Sequence, residues 1–301
     1  MAELNNVIAI LKDMGLNVET ISCTKNGINL TGLMLDTGTE IRPTTYFELL
    51  ADDGAPDDVV ALRAAKVLRG VSLEDAPVRN GAEMWDILKN IQPNQLEARI
   101  CGRGNAGKRT LIKPFLDLDI YVIVVIAKDD ESVNGLRLTE EIYKRSSLKD
   151  IPIEKVFEQA MANSFWRTKD VPINTIIERM IKEAYEKGEM PEEVYEEMLL
   201  SLEMTTDDNR MGVLTNAEMC GGAIAIADTV ALTKYAEKIG ANFYILPSST
   251  SEIILIKDEG IENAAYLKQM VKEVNETVID PLEKLSDSVY YFNGSDVMKV
   301  M

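Results

Sequence analysis

The chain contains no histidine. That absence removes Ser-His-Asp and Cys-His arrangements, His-ligated zinc and any imidazole proton shuttle, so chemistry here would have to run on carboxylates, lysine, tyrosine, hydroxyls or a bound metal. Cysteine is scarce: Cys23, Cys101 and Cys220 are odd in number and widely spaced, which suits neither a disulfide framework nor a thiolate zinc cluster and predicts reduced, mostly buried thiols. Long apolar runs are also missing, and the longest, Ile120 to Ala127, is too short to cross a bilayer. The opening residues, MAELNNVIAILKDMG, carry no basic region and no small-residue cleavage site, so the chain is expected in the cytoplasm. Cations are outnumbered, 32 Lys and Arg against 50 Asp and Glu, and the resulting charge of -18 repels nucleic acid and anionic membranes. Direct binding to either is not expected.

What is present is a globular composition. An apolar fraction of 46% over 301 residues can build one large or two ordinary domains. The spacing of Val7, Ile8, Leu11 and Met14 predicts a helix ending at Gly15. Strands are expected at Val18 to Cys23, Ile28 to Leu35 and Ile41 to Phe47, with Asn26-Gly27 as a type I′ hairpin turn. Pro56-Asp57-Asp58 opens a helix to about Leu68, and a second helix covers Ala82 to Asn90. Gln92 to Pro114 is the least regular stretch, and Leu116 to Ala127 reads as a central strand, with Val133 to Leu138 pairing back on it. Helices follow at Thr139 to Arg145 and Pro152 to Asn163, and a helical hairpin at Ile173 to Lys187 and Pro191 to Leu202. The remainder reads strand (Met211 to Leu214), helix (Gly222 to Ile239), strand (Phe243 to Leu246), strand (Ile253 to Lys257), helix (Ala264 to Thr277), strand (Val289 to Phe292). The fold class is α+β: an N-terminal unit over 1–170, a hairpin connector over 171–206 and a C-terminal β-α-β-β-α-β unit over 207–301, with the boundary at Thr205 to Arg210. That element order permits a ferredoxin-like sheet.

Three segments carry possible chemistry. Gly102 to Thr110 approaches the phosphate-cradling G-x-x-x-x-G-K-[ST], but Arg109 stands where the magnesium-holding hydroxyl belongs and Pro114 cuts short the helix that should follow. Its Arg103, Lys108 and Arg109 make a local positive spot suited to an anion. Asp117 and Asp119 lie two apart at a strand entrance, an arrangement able to hold magnesium for nucleotidyl or phosphoryl transfer, with a third carboxylate among Asp129, Asp130 and Glu131. An acidic strand entrance facing solvent is the better explanation of the pair. The hydroxyl-rich segment Pro247 to Glu252 joins two strands, where such residues make turns, or else line a polar pocket in which Ser248, Ser249, Ser251 and Glu252, with Asn216, contact a ligand or protein partner. The Gly221-Gly222 pair fits close helix packing, and the 14 methionines fit cores.

Val213 to Asn216, Gly221 to Ala223, Asn242 to Ser249, Glu252 to Leu255 and Leu285 to Tyr290 together resemble an uncharacterised bacterial family, domain-of-unknown-function family 5688, common in gut anaerobes. The likeness extends more weakly to Ile28 to Tyr46 and Phe115 to Val125. The resemblance implies no activity, ligand or catalytic residue. It does imply a His-Glu pair where this chain reads Ser251-Glu252, and only the first carboxylate of the Leu116-Asp117-Leu118-Asp119 segment. The balance falls on an intracellular binding or regulatory protein that needs no cofactor. The alternatives are a magnesium-dependent transferase using Asp117 and Asp119, and an acidic inhibitor that imitates nucleic acid on a partner protein.

Overall fold

A computed structural model describes residues 2–38, 42–51, 54–70, 78, 80–128, 133–186, 188, 190–204, 211–247, 249–260 and 264–300. The chain begins with helix α1 (Leu4–Asp13), which buries Val7 and Leu11 and stops at Gly15, where φ is +79°. Strands β1 (Val18–Lys25) and β2 (Ile28–Leu35) form a hairpin whose Asn26 and Gly27 both take positive φ, as the type I′ turn requires. Strand β3 (Thr44–Tyr46) is shorter than expected: Ile41 lies outside the described residues, and Phe47 already starts the short helix α2 (Phe47–Leu50). Helix α3 (Asp57–Gly70) crosses α1 through Val60, Ala61 and Ala64, whose small side chains let the backbones approach. Asp57 sits in the first turn of α3 and accepts hydrogen bonds from the Glu3 backbone and the Asn6 amide, so one carboxylate serves both helices.

Helix α4 (Gly81–Lys89) is capped by Asn80, whose side chain accepts from the Glu83 N–H. The stretch expected to be irregular, 92–114, holds two strands, β4 (Leu96–Gly102) and β5 (Ile112–Phe115). The sequence of β4 hides its strand because Glu97 and Arg99 interrupt an otherwise apolar run. In the fold these two charges bond to each other on one face, while Leu96, Ala98 and Ile100 enter the core on the other. Pro114 is tolerated because β5 is an edge strand, paired among the described residues with β6 alone. Strand β6 (Leu118–Lys128) is central: β4 lies on one side, and β5 and β7 (Val133–Arg137) share the other. Helices α5 (Glu140–Arg145) and α6 (Ile153–Phe165), strand β8 (Lys169–Val171) and the hairpin α7 (Ile173–Glu186) and α8 (Glu192–Met204) follow.

The C-terminal strands are β9 (Met211–Thr215), β10 (Phe243–Leu246), β11 (Ile253–Lys257), β12 (Val289–Phe292) and β13 (Val297–Val300), with helices α9 (Thr229–Ile239) and α10 (Ala264–Thr277) between them. They form an antiparallel sheet in the order β13-β12-β10-β11-β9-β8. This is not the ferredoxin-like order, in which the strand after the second helix would join the edge beside the first. Here β8 occupies that edge of β9, and β12 adds beside β10 instead. The helix expected over Gly222 to Ile239 is also interrupted. Residues 222–227 form a buried 3-10 turn, and Asp228 starts α9 afresh by accepting the Ala231 N–H.

One core spans both larger sheets. Ile100, Val122, Phe157 and Ala160 join Ile224, Ile245, Leu255 and Phe292 in a single cluster. The expected boundary at Thr205 to Arg210 lies outside the described residues. Because Phe157 on α6 is buried in the shared cluster, Phe157→Ala is expected to cost about 3–5 kcal/mol. Hydrogen exchange should show protection falling in β10 and β11 as well as in β4. Loss confined to β4 would mean that the two sheets open independently.

Candidate functional site

The three segments with possible chemistry meet along one seam, residues 281–290, without forming one pocket. Asp117 precedes β6 in a tight turn in which Leu116 has φ +52°. Its carboxylate accepts from Ser288 Oγ at 2.8 Å, Tyr290 OH at 2.8 Å and Lys299 Nζ at 2.7 Å, tying the entrance of β6 to β12 and β13. Burial alone would raise this carboxyl, but the bonds from Lys299, Ser288 and Tyr290 outweigh it and hold the group below the usual carboxylate range. Asp119 points elsewhere. It is 1% exposed, pairs with Arg103 at 2.8 Å and accepts the Gly104 N–H at 2.7 Å, so it anchors the glycine loop. The two carboxylates thus hold different partners. Asp129, Asp130 and Glu131 lie outside the described residues.

The glycine loop is a strand connection and precedes no helix. Gly104 and Gly107 adopt positive φ, and Thr110 and Arg137 both donate to the Ala106 carbonyl. The tip of the β1–β2 hairpin docks on this loop: a Cβ at Gly27 would stand 2.6 Å from the Asn105 side chain. Asn26 donates to the carbonyls of Pro281 and Lys284, and Thr250 N–H donates to the Glu283 carbonyl, which brings the 247–252 segment to the same seam. Ser248 lies outside the described residues. Ser249 and Ser251 are buried. Ser249 Oγ donates to Glu252 at 2.7 Å and accepts the Ser251 N–H at 2.9 Å, while the Ser251 carbonyl accepts from Thr215 Oγ1 at 2.8 Å. Asn216 is buried too, bonding to both the N–H and the carbonyl of Cys220.

A charged cluster that the sequence reading missed lies beside Asn216. Glu97 and Arg99 of β4, Lys128 at the end of β6, Arg167 after α6 and Glu218 after β9 form one network. Arg99 bridges Glu97 and the Cys220 carbonyl, and Arg167 bridges Glu97 and Glu218. The signal in the sequence is the pair of charges two apart within an apolar β4. Their partners lie far along the chain, so spacing could not find them. Burial would raise the Glu218 carboxyl, yet Lys128 and Arg167 bring it down to about 2. Nearby, burial and then the Asp119 charge push the Cys101 thiol up to about 12, so it remains protonated at neutral pH.

The open part of the region is a polar cleft of about 650 Å³ between the β1–β2 hairpin and the glycine loop. One face of the hairpin is apolar at the end under α1 and α3 (Leu33, Leu35) and turns polar toward its tip, where Ser22 faces Thr31 and Thr24 faces Asn29. These four side chains line the cleft, with Glu48 alongside and Gly107 and Lys108 of the glycine loop. Glu48 accepts the Thr31 N–H at 2.7 Å. Lys108 is exposed and forms no ion pair among the described residues. Of the three residues of the expected anion site, Lys108 lines the cleft, Arg103 is paired to Asp119, and Arg109 takes φ +61° with its carbonyl accepting the Glu140 N–H.

The geometry of the 216–222 segment generates two expectations. Gly221 has φ +67°, and a Cβ there would run into the Arg99 guanidinium. Gly221→Ala is therefore expected to destabilise by at least about 2 kcal/mol, from the left-handed conformation together with displacement of Arg99, measured by chemical denaturation. An unchanged midpoint would mean that the loop relaxes freely. Because the folded carboxyl of Glu218 sits near 2 against an ordinary 4.5, its stabilisation is present above 4.5 and is lost as pH falls toward 2. Glu218→Gln should flatten that part of the acid-unfolding curve.

The sequence of residues 3–294 matches the model of a family of unknown function, domain-of-unknown-function family 5688, and the chain belongs to it. No curated protein and no solved structure matches it.

Proposed function

We propose, from membership of a family with no assigned activity, that this chain is a cytoplasmic binding protein whose ligand occupies the polar cleft between the β1–β2 hairpin and the glycine loop. The observation that carries this reading is that Lys108, which forms no ion pair among the described residues, lines the cleft together with a row of neutral hydroxyl and amide groups, Ser22, Thr24, Asn29 and Thr31. Neutral donors and acceptors in a row suit a polyhydroxyl compound, and a single cation suits one carboxylate or phosphate upon it. Glu48 can accept a ligand hydroxyl at the inner end. Binding is favoured over transfer chemistry because Asp117 and Asp119 already hold Lys299 and Arg103. Three free cysteines spread over separate elements support a reducing compartment.

Thermal-shift measurements with glucose 6-phosphate, gluconate and glucose test the reading. The two anionic compounds are expected to raise the melting temperature, and glucose is not. Lys108→Ala should weaken that binding roughly tenfold or more, in line with losing one charge-assisted contact. Equal shifts in the wild type and Lys108→Ala, or none with any of the three compounds, would count against the cleft.

A further inference from the structure

The α7–α8 hairpin stands apart from the cleft and carries features that its own fold does not use. Its inner side is anchored by Ile176 and Ile181, both buried, and the two helices are held together by Tyr185 stacked on Tyr195 at 4.4 Å. Each helix also presents a pair of large apolar side chains to solvent at helical spacing: Ile177 and Met180 on α7, Val194 and Met198 on α8, between 37% and 48% exposed. Isolated exposed apolar residues need no explanation, but by helical spacing from Tyr185 and Tyr195, which face each other, all four fall on one side of the antiparallel hairpin.

The charges around the patch are divided unequally. On α7, Lys182 is paired to Glu186 and Arg179 donates to the Met219 carbonyl, so both cations are engaged within the chain. On α8 every charged residue whose side chain is described is a glutamate, Glu192, Glu193, Glu196 and Glu197, and none forms an ion pair among the described residues. A second copy of this chain would bring the same glutamates and the same charge of -18 against them. A cationic partner would pair them.

From this complementarity we infer that the α7–α8 hairpin docks a basic amphipathic helix of another protein. The partner's apolar side would cover Ile177, Met180, Val194 and Met198 while its lysines or arginines meet the α8 glutamates. Methionine suits such a surface because its flexible thioether adapts to differently shaped apolar partners.

The probe is a synthetic 14-residue leucine–lysine peptide of amphipathic helical pattern (~14 residues, about four turns), titrated into the full chain by calorimetry. One-to-one binding is expected, weakening roughly tenfold between low and high salt as the ion pairs are screened. Glu193→Gln with Glu197→Gln should weaken it about tenfold, and Met198→Glu should abolish it. Met198 is exposed, so its variant should keep the wild-type melting curve. A lysine–serine peptide of equal charge must not bind. If it binds as well as the amphipathic one, the attraction is only that of an acidic surface, and the inference is overturned. Sedimentation giving a dimer that Met198→Glu dissociates would overturn it too, assigning the patch to a second copy.

Discussion

Burying β4, the edge strand of the four-stranded sheet, against α6 and the 222–227 turn requires Glu97 and Arg99 to leave water together, and this constraint organises the middle of the molecule. Each is about 5% exposed. An unpaired charge in that position would cost several kcal/mol, so the neighbouring elements supply partners: Arg167 at the end of α6, Lys128 at the end of β6, and Glu218 with the Cys220 carbonyl from the loop after β9. Such a network adds little stability compared with an apolar core of the same volume, but once buried it cannot lose a member cheaply. Its effect is positional. It fixes the 216–221 loop against β4, and the left-handed conformations of Met219 and Gly221 follow from the path that loop must take.

A similar logic ties the periphery to the centre. Asp117 closes the entrance of β6 onto β12 and β13, Asp119 holds the glycine loop through Arg103 and Gly104, and Asn26 at the hairpin tip bonds to residues 281 and 284. Among the described residues the hairpin meets the glycine loop at its tip, where Gly27 stands against Asn105, and the cleft lies behind that contact. The hairpin's polar half lines the cleft with Lys108, while its apolar half lies under α1 and α3. The α7–α8 hairpin shares little of this network and leaves apolar and acidic groups open to solvent.

Much of the secondary structure was legible because it rests on local rules. The Asn26-Gly27 turn, the stripe of α1, the carboxylates opening α3 and the hydrophobic run of β6 all reflect backbone sterics and periodicity within a few residues. The failures share a cause. Strand β4 was hidden by two charges whose partners lie far away, β8 and β13 are short edge strands defined by their neighbours, and 222–227 departs from α-helix because all but its last residue are packed in the core. The candidate residues follow the same division. Glycine, hydroxyl and acidic segments were visible as segments, while the assignment of Asp119 to Arg103, or of Ser249 to Glu252, depends on where the chain returns.

The sequence by itself determined the α+β class, the absence of imidazole chemistry, the strongly acidic character and the family resemblance, since each is a property of composition or of short contiguous segments. Only the tertiary structure decided which charges are spent and which are free. Asp117, Asp119, Arg103 and Glu97 are neutralised by partners brought in by the fold, whereas Lys108 and the α8 glutamates have no ion-pair partner among the described residues. The physical reason is that a charge's availability is set by the dielectric and the ions within a few ångströms of it, and the fold brings those together from the whole length of the chain.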